Sequence, residues 1–371
     1  MNDRSWFRGA ATMLVLAAVA CGPQQQPPTD TGVSDTAAPF DSGITGSDAA
    51  GPTDTGVDTG LPPPPEDASA YDGGRTFRHE VSISLDLMPG QEVTRCTILR
   101  LGNTSAQYIR RVYANLGDAS HHLIFYKSSR RTEQTTPRDC TGFSGVRNLM
   151  DFDPPILIAQ QHETTLNMPP NVGFPIDNDE YVRLEFHAVN LRTTPMRATA
   201  TVVVDTVDQS VPLTSANLMF WGNTRISLAP MAAGTVDFFH TPLVGVRVFG
   251  LTSHTHQYGV RSTIHRATGT RSASTPVTWT NVVDGALLHD NRNWSDPPLT
   301  LFDPPITFPT GEGLHLRCNY MNTSNRTVTF GESVDQEMCF LWAYYYPAPR
   351  GTQVCAIGYT AGNTVACFPP S

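Results

Sequence analysis

The chain has 371 residues, 34 Asp and Glu against 25 Lys and Arg, and a formal net charge of −9. Nine of the acids (Asp30, Asp35, Asp41, Asp48, Asp54, Asp58, Glu66, Asp67 and Asp72) fall between Gly22 and Gly74, which holds no Lys or Arg; setting these aside with Asp3, Arg4 and Arg8 leaves 24 acids and 23 bases. A near-neutral folded part lacks the basic excess that a nucleic-acid-binding surface needs, so nucleic acid is excluded as a partner.

The N-terminus carries Arg4 and Arg8, a short apolar stretch from Gly9 to Ala20, and then Cys21. A charged start, an apolar core and small residues before the break read as an export signal over residues 1–21. The stretch is shorter than the ~20 apolar residues of a membrane span. Small residues followed by Cys resemble the cleavage box of bacterial lipoproteins, which implies lipidation at Cys21 and a cell-envelope location, lipid-anchored (the outer membrane foremost) or secreted. The membrane is then met only through the N-terminal lipid. Residues 22–75 are Pro-, Thr-, Gly- and Asp-rich with few large apolar side chains. Such a segment buries too little surface to offset its ordering entropy and reads as a disordered spacer.

Beyond it lie roughly 300 residues, a natural size for two domains. Period-two alternation recurs, as in Val81-Ser82-Ile83-Ser84-Leu85-Asp86-Leu87 and in Tyr181 to Ala188. Thr199–Val207, Val244–His256, Leu314–Tyr320 and Phe340–Tyr346 are rich in β-branched or aromatic residues. Pro and Gly punctuate the intervals, and no long 3.6-residue periodicity appears. The pattern predicts an all-β chain: two antiparallel, jelly-roll-like β-sandwich domains in tandem, over 76–208 and 209–371, with the break near Asp208–Leu213.

Without Cys21 the seven cysteines become six (Cys96, Cys140, Cys318, Cys339, Cys355 and Cys367), an even number that implies three disulfides in an exported chain. No Cys-x-x-Cys pair occurs, against a zinc ribbon, a dithiol redox pair or a c-type haem site. No Gly-x-Ser-x-Gly elbow or His-Glu-x-x-His helix supports a hydrolase.

Eleven histidines are present, and their arrangement carries most of the functional information. His121 and His122 are adjacent. His254 and His256 flank Thr255, a spacing that on a strand points both imidazoles to one face, as two ligands of one metal require. His187 lies on the polar side of its strand with Arg183 and Glu185. Met338 lies in Asp335-Gln336-Glu337-Met338-Cys339. Neighbouring histidines on an ideal strand face opposite ways, so His121 and His122 reach one metal only where the strand is twisted or bulged. Glu185, two residues before His187, reads foremost as a solvated residue, the alternative being a role in tuning electron transfer between the metal clusters. On spacing alone there are two metal clusters and nothing more.

Taken in order, Ser120-His121-His122-Leu123-Ile124-Phe125, Leu184-Glu185-Phe186-His187, His254-Thr255-His256-Gln257-Tyr258-Gly259 and Gly331–Tyr346 around Glu337-Met338-Cys339 resemble the ascorbate-dependent type II copper monooxygenases. The resemblance covers about Arg75 to Pro349. It implies two copper ions: one for electron transfer on His121, His122 and His187, and one for O2 activation and catalysis on His254, His256 and Met338. It implies ascorbate or another one-electron reductant, and hydroxylation of a C–H bond by O2. The physiological electron donor is unknown. A soft thioether favours the reduced ion, in keeping with Met338 at the O2 site. The resemblance also implies the disulfides Cys96–Cys140 and Cys318–Cys339, leaving Cys355–Cys367 as a local staple in the C-terminal extension. Where peptide-amidating members carry an Arg, an Asn and a Tyr to grip a carboxylate, this chain has Thr252, Phe340 and Trp342. That implies an apolar pocket, a small or apolar substrate, and no amidation of glycine-extended peptides. The rival expectation is a non-catalytic copper- or carbohydrate-binding envelope lipoprotein with the same sandwich.

Overall fold

The computed structural model describes residues 75–117, 120–147, 152–274, 277–349, 351–358 and 365–368. The export signal, the lipidation position Cys21 and the acidic spacer up to Gly74 lie outside the described residues. Among the described residues no helix is long and apolar enough to cross a membrane.

The first half contains β1 (Thr76–Leu87), β2 (Glu92–Arg100), β3 (Gln107–Asn115), β4 (Ser120–Lys127), β5 (Gln134–Asp139), one helical turn α1 (Ser144–Arg147), β6 (Pro155–Ala159), β7 (Glu163–Asn167), β8 (Val172–Ile176), β9 (Tyr181–Val189), β10 (Met196–Asp208) and β11 (Thr214–Ser215). One sheet runs β1-β10-β3-β8-β11 with β7 on β3, and the other runs β5-β2-β9-β4-β6. In β1 the alternation is realised: Val81, Ile83, Leu85 and Leu87 are buried, while Ser82 and Asp86 face out. Every residue of β9 from Tyr181 to Ala188 is buried, so its polar face is buried as well as its apolar one.

The second half contains β12 (Asn217–Asn223), β13 (Ser227–Leu228), β14 (Ala232–His240), β15 (Arg247–His254), β16 (Gly259–Arg271), β17 (Trp279–Asn291), β18 (Thr300–Thr307), β19 (Glu312–Asn322), β20 (Val328–Thr329), β21 (Phe340–Tyr346), β22 (Gln353–Ile357) and β23 (Val365–Phe368). Its sheets run β18-β15-β21-β12-β22-β23 and β14-β19-β16-β17, with a small β13-β20 pair. The protein is an all-β assembly of sandwich layers. All three disulfides form with the expected partners: Cys96–Cys140, Cys318–Cys339 and Cys355–Cys367.

The unbroken apolar runs of β12 and β21 have a physical cause in the layering. In β21, Leu341, Ala343 and Tyr345 join the core of the second half, whereas Phe340, Trp342 and Tyr344 join the core that fills the first half. In β12, Met219 and Trp221 take the former side, Leu218 and Phe220 the latter. A sheet buried on both faces needs apolar side chains at every position instead of every second one. The two halves therefore share one continuous core, and the histidine motifs lie where they meet.

Candidate metal centre

The adjacent pair His121-His122 sits at a register shift between β4 and β9. Ser120 pairs with Ala188 and His122 with His187, so His121 is an extra residue without a partner on β9. The bulge re-aims its side chain and resolves the conflict between adjacency and convergence. The His121 ring lies 5.1 Å from both the His122 and His187 rings, and His122 lies 5.0 Å from His187. One nitrogen from each of the three falls within 4.8 Å of the others.

In the second half β15 ends at His254, and His256 lies just past it. The convergence expected from strand periodicity comes instead from the turn after the strand, with the two rings 5.0 Å apart. The buried Glu337 carboxylate shapes that turn. It accepts the backbone N–H groups of His256 (2.9 Å), Tyr258 (2.7 Å) and Met338 (3.1 Å). Burial pushes this carboxyl up to about 7, opposed by the backbone donors. Gly259 closes the turn: a Cβ there would stand 2.3 Å from the Thr255 hydroxyl oxygen and 2.6 Å from its Cβ, which no side chain fits. Met338 is 1% exposed, and its carbonyl accepts the Tyr320 hydroxyl at 2.6 Å. The Cys318–Cys339 bond fixes the next residue.

The two motifs meet. His121 is 5.6 Å from His254 and 5.4 Å from His256, and His122 is 5.5 Å from His254. His121, His254 and His256 form a second triad whose ligand nitrogens lie within 4.8 Å of one another. Phe143 packs 5.1 Å from His122, 5.7 Å from His254 and 5.4 Å from Phe220. It adopts φ 53°, the left-handed region, at roughly 1–2 kcal/mol for a non-Gly residue. Its N–H donates to Glu185 Oε1, which helps hold it there. Trp294 covers His121 at 5.5 Å, and Trp342 lies 5.7 Å from His254.

The ring nitrogens divide into held and unpartnered ones. The Nδ1 of His254 faces Gln160 Oε1 at 2.6 Å, and that of His256 faces the Gln336 carbonyl at 3.2 Å. The Gln160 amide nitrogen donates to the Ser253 carbonyl at 3.0 Å, which fixes the amide so that its oxygen accepts from His254. His187 Nε2 faces Glu92 Oε1 at 2.9 Å. The Nε2 atoms of His121, His254 and His256 and both nitrogens of His122 are buried without a hydrogen-bond partner. An orphaned buried polar atom costs about 1–3 kcal/mol. Several of them close together, with the opposite nitrogens of His254 and His256 anchored, make the arrangement of metal-ligating imidazoles. Burial, the main cause, and the neighbouring imidazoles hold His121, His122 and His254 well below the usual histidine range, and His256 at about 4. The rings are thus neutral, with lone pairs free, at neutral pH. These residues fit copper, which accepts imidazole in both oxidation states.

Glu185 is not solvated. It is fully buried and accepts from Tyr126 Oη (3.2 Å) and Arg183 Nη2 (3.0 Å) as well as Phe143 N–H; Arg183 also reaches Asp153 at 3.5 Å. Both faces of β9 are covered, so the alternation that marked Glu185 as polar does not mark it as exposed. Thr252, Phe340 and Trp342 are each packed, at 2%, 3% and 0% exposure; Phe340 pairs with His254 across the strands, and Phe220 stacks on Phe340 at 4.7 Å. A cavity of about 350 Å³ beside Cys96–Cys140, lined by Arg130, Arg138 and Arg183, does not touch the histidines. Glu92, Gln160, Phe143 and Trp294 went unread in the sequence, since each is remote in sequence from the ligands and belongs to no periodic pattern. Two other clusters, His240 with Cys355 and Cys367, and Glu185 with Cys96 and Cys140, have their sulfurs tied in disulfides and offer no thiolate.

Residues 232–364 match a family described as copper type II ascorbate-dependent monooxygenase, C-terminal domain. Among solved structures, similarity extends to the STIV MCP, at 10% identity over 74% of this chain and 98% of that one, TM-score 0.34. It extends also to the major capsid protein P2 from bacteriophage PM2, at 10% identity over 73% and 97%, TM-score 0.30. Likeness at that level carries no argument about function.

Proposed function

We propose, from the match of residues 232–364 to the copper type II ascorbate-dependent monooxygenase C-terminal domain, that the chain is a copper-dependent monooxygenase that hydroxylates a C–H bond with O2 and a one-electron reductant, ascorbate or another. The observation that carries this reading is the set of buried, neutral imidazoles whose unpartnered nitrogens converge where the two halves meet. Copper held there would supply one-electron transfer and O2 activation. His121, His122 and His187 would hold the electron-transfer ion, and His254, His256 and Met338 the ion at the reacting centre. Glu92 orients His187, Gln160 orients His254, and the Gln336 carbonyl orients His256, each fixing which nitrogen is left for the metal. Glu337 sets the backbone of the His254–Tyr258 turn and of Met338 together, so that the imidazole pair and the thioether move as one unit. Met338 would favour the reduced ion.

The side chains at the three positions read as the substrate pocket offer a substrate no fixed charge. Thr252, Phe340 and Trp342 are a hydroxyl, a phenyl and an indole, so we assign an apolar or aromatic small-molecule substrate and no amidation of glycine-extended peptides. Cys21 and the acidic spacer would tether the enzyme to the cell envelope. The test is copper content and reductant-dependent O2 uptake of the full chain, beside His187→Ala and Met338→Ala. Two coppers in the parent, a loss in each variant, and O2 uptake that needs both reductant and copper are expected. Copper binding without O2 uptake across a panel of apolar substrates would leave a copper-binding envelope module and sink the enzymatic reading.

A further inference from the structure

Given the monooxygenase reading, we infer that the cavity beside the Cys96–Cys140 disulfide is where a small anionic one-electron reductant, an enediolate of the ascorbate class, docks to reduce the metal position of the first half. The cavity holds about 350 Å³, at the small end of the ~300–1,000 Å³ of small-molecule pockets, so it suits a small organic molecule and not an electron-carrier protein. Arg130, Arg138 and Arg183 line it against one carboxylate, Asp139, which pairs with a fourth arginine, Arg95. Asp153 and Glu185, the carboxylates that hold Arg183, are fully buried and do not line the cavity. What it presents to a ligand is therefore positive. Planar guanidinium groups recognise an oxyanion by paired hydrogen bonds. Gln134 lines the cavity too; its amide nitrogen donates to the Cys96 carbonyl at 3.3 Å, which leaves its amide oxygen to accept a ligand hydroxyl.

The cavity opens on the ladder that carries His187. On β2, Thr94 pairs with His187 and Cys96 with Glu185. Directly opposed residues of an antiparallel pair share a face, and alternate residues return to it, so Cys96 and Arg183 stand on the face of His187. The Cys96 row is one such step from the His187 row, about 7 Å along the strand. A continuous path joins the cavity wall to the histidines. Arg183 Nη2 donates to Glu185 at 3.0 Å, Glu185 accepts the Phe143 N–H, and the Phe143 ring lies 5.1 Å from His122. A donor in the cavity therefore need touch no histidine to reduce an ion held on His122 and His187. The anion gives one electron to the cupric ion, which becomes cuprous, and one proton to solvent, and leaves as a radical anion. Two anions in succession supply the two electrons consumed when O2 yields one alcohol oxygen and one water.

The experiment is anaerobic equilibrium dialysis of ascorbate against the copper-free full chain, beside the KM for ascorbate in O2 uptake of the copper-loaded chain. The proteins are the parent, Arg130→Gln, Arg138→Gln and the double variant. Both arginines are exposed, and Arg197→Gln, at an exposed position of β10 outside the cavity, controls for loss of charge alone. The copper-free parent binds one ascorbate per chain. Each cavity substitution weakens that binding by about tenfold or more, as loss of a charge-assisted hydrogen bond does. It raises the KM for ascorbate by a like factor and lowers the preference for ascorbate over neutral hydroquinone, whereas Arg197→Gln does none of these. Parental affinity or a parental KM in the double variant overturns the site, as does a copper-free parent that binds ascorbate no more tightly than inorganic phosphate. Failure of the monooxygenase reading looks different: ascorbate bound through the arginines, yet no O2 uptake with either reductant. That outcome upholds the anion site and sinks the enzymatic reading instead.

Discussion

The two halves of the molecule hold their histidines by opposite means. In the first half the candidate ligands ride on paired strands: His122 and His187 face each other across β4 and β9, and His121 is set by a bulge in the same ladder. In the second half His256 and Met338 lie outside strands, on segments that meet at one carboxylate, Glu337, and beside one disulfide, Cys318–Cys339. A ladder spreads the work of positioning over many backbone hydrogen bonds, so no single side chain is decisive for ligand geometry. A clasp concentrates it in a few atoms. What is vulnerable in the first half is the buried charge beneath the ligands, where Arg183 is held between Glu185 and Asp153.

The largest expected effect tests that contrast. Glu185→Ala removes the acceptor of Tyr126, Arg183 and the strained Phe143 N–H, taking from buried Arg183 one of its two carboxylates. Breaking a buried pair from one side costs about 3–5 kcal/mol, so urea unfolding of the full chain should shift by that amount. Glu337→Gln keeps one acceptor oxygen for three donors and should cost less, about 1–3 kcal/mol, while lowering copper affinity at the second site. Equal stability losses, with copper affinity untouched by Glu337→Gln, would refute the distinction between ladder and clasp.

The disulfides sharpen it. Cys96–Cys140 closes a separation of 44 residues and Cys318–Cys339 one of 21. Chain entropy alone assigns them about 4 and about 3 kcal/mol. Replacing each pair by serines should therefore destabilise the first half somewhat more. Only loss of Cys318–Cys339, adjacent to Met338, should release a copper ligand, seen as weaker Cu(I) retention. Gln160→Leu probes the same boundary at smaller scale. It lies in the first half yet should weaken copper at His254 by about 10–100-fold, measured by chelator competition, because it removes the acceptor for His254 Nδ1.

The strands with clean patterns were legible. Phe340–Tyr346 coincides with β21, and the alternation of Val81 to Leu87 is the buried face of β1. The paired β16 and β17, thirteen residues each, gave no signal. Three register shifts between them break the period, and most of β17 is solvent-exposed, so apolar and polar residues do not alternate. At the candidate site, the histidines that converge were legible from motif order, and the need for a twist or bulge at His121-His122 followed from strand geometry. Their merging into one cluster was not, because it depends on how β12 and β21 lie against the first core. The mistaken reading of Glu185 has the same origin: local periodicity reports polarity, and only tertiary packing reports burial.

The second half also buries histidines away from the centre, and one of these gives the smallest and cleanest expected effect. His240 is 4% exposed, accepts from Trp279 Nε1 at Nδ1 (3.1 Å), and packs against Trp221 at 5.1 Å. Burial, with a smaller contribution from the Arg271 charge, lowers it from 6.5 to about 4. The folded protein then binds fewer protons here than the unfolded chain wherever pH lies between those values. The stability His240 contributes is complete above its unfolded value and is lost as pH falls toward about 4. Between about pH 7.5 and about pH 5.5 that amounts to roughly 1 kcal/mol. His240→Asn keeps an acceptor for Trp279 and removes the titration. Urea unfolding at both pH values should show the parent losing about 1 kcal/mol more than the variant. The other buried imidazoles titrate alike in both proteins and cancel in the difference. Identical pH dependence would mean that His240 takes up its proton without leaving the fold, and that this part of the second half is open to water in a way the strand-borne site is not.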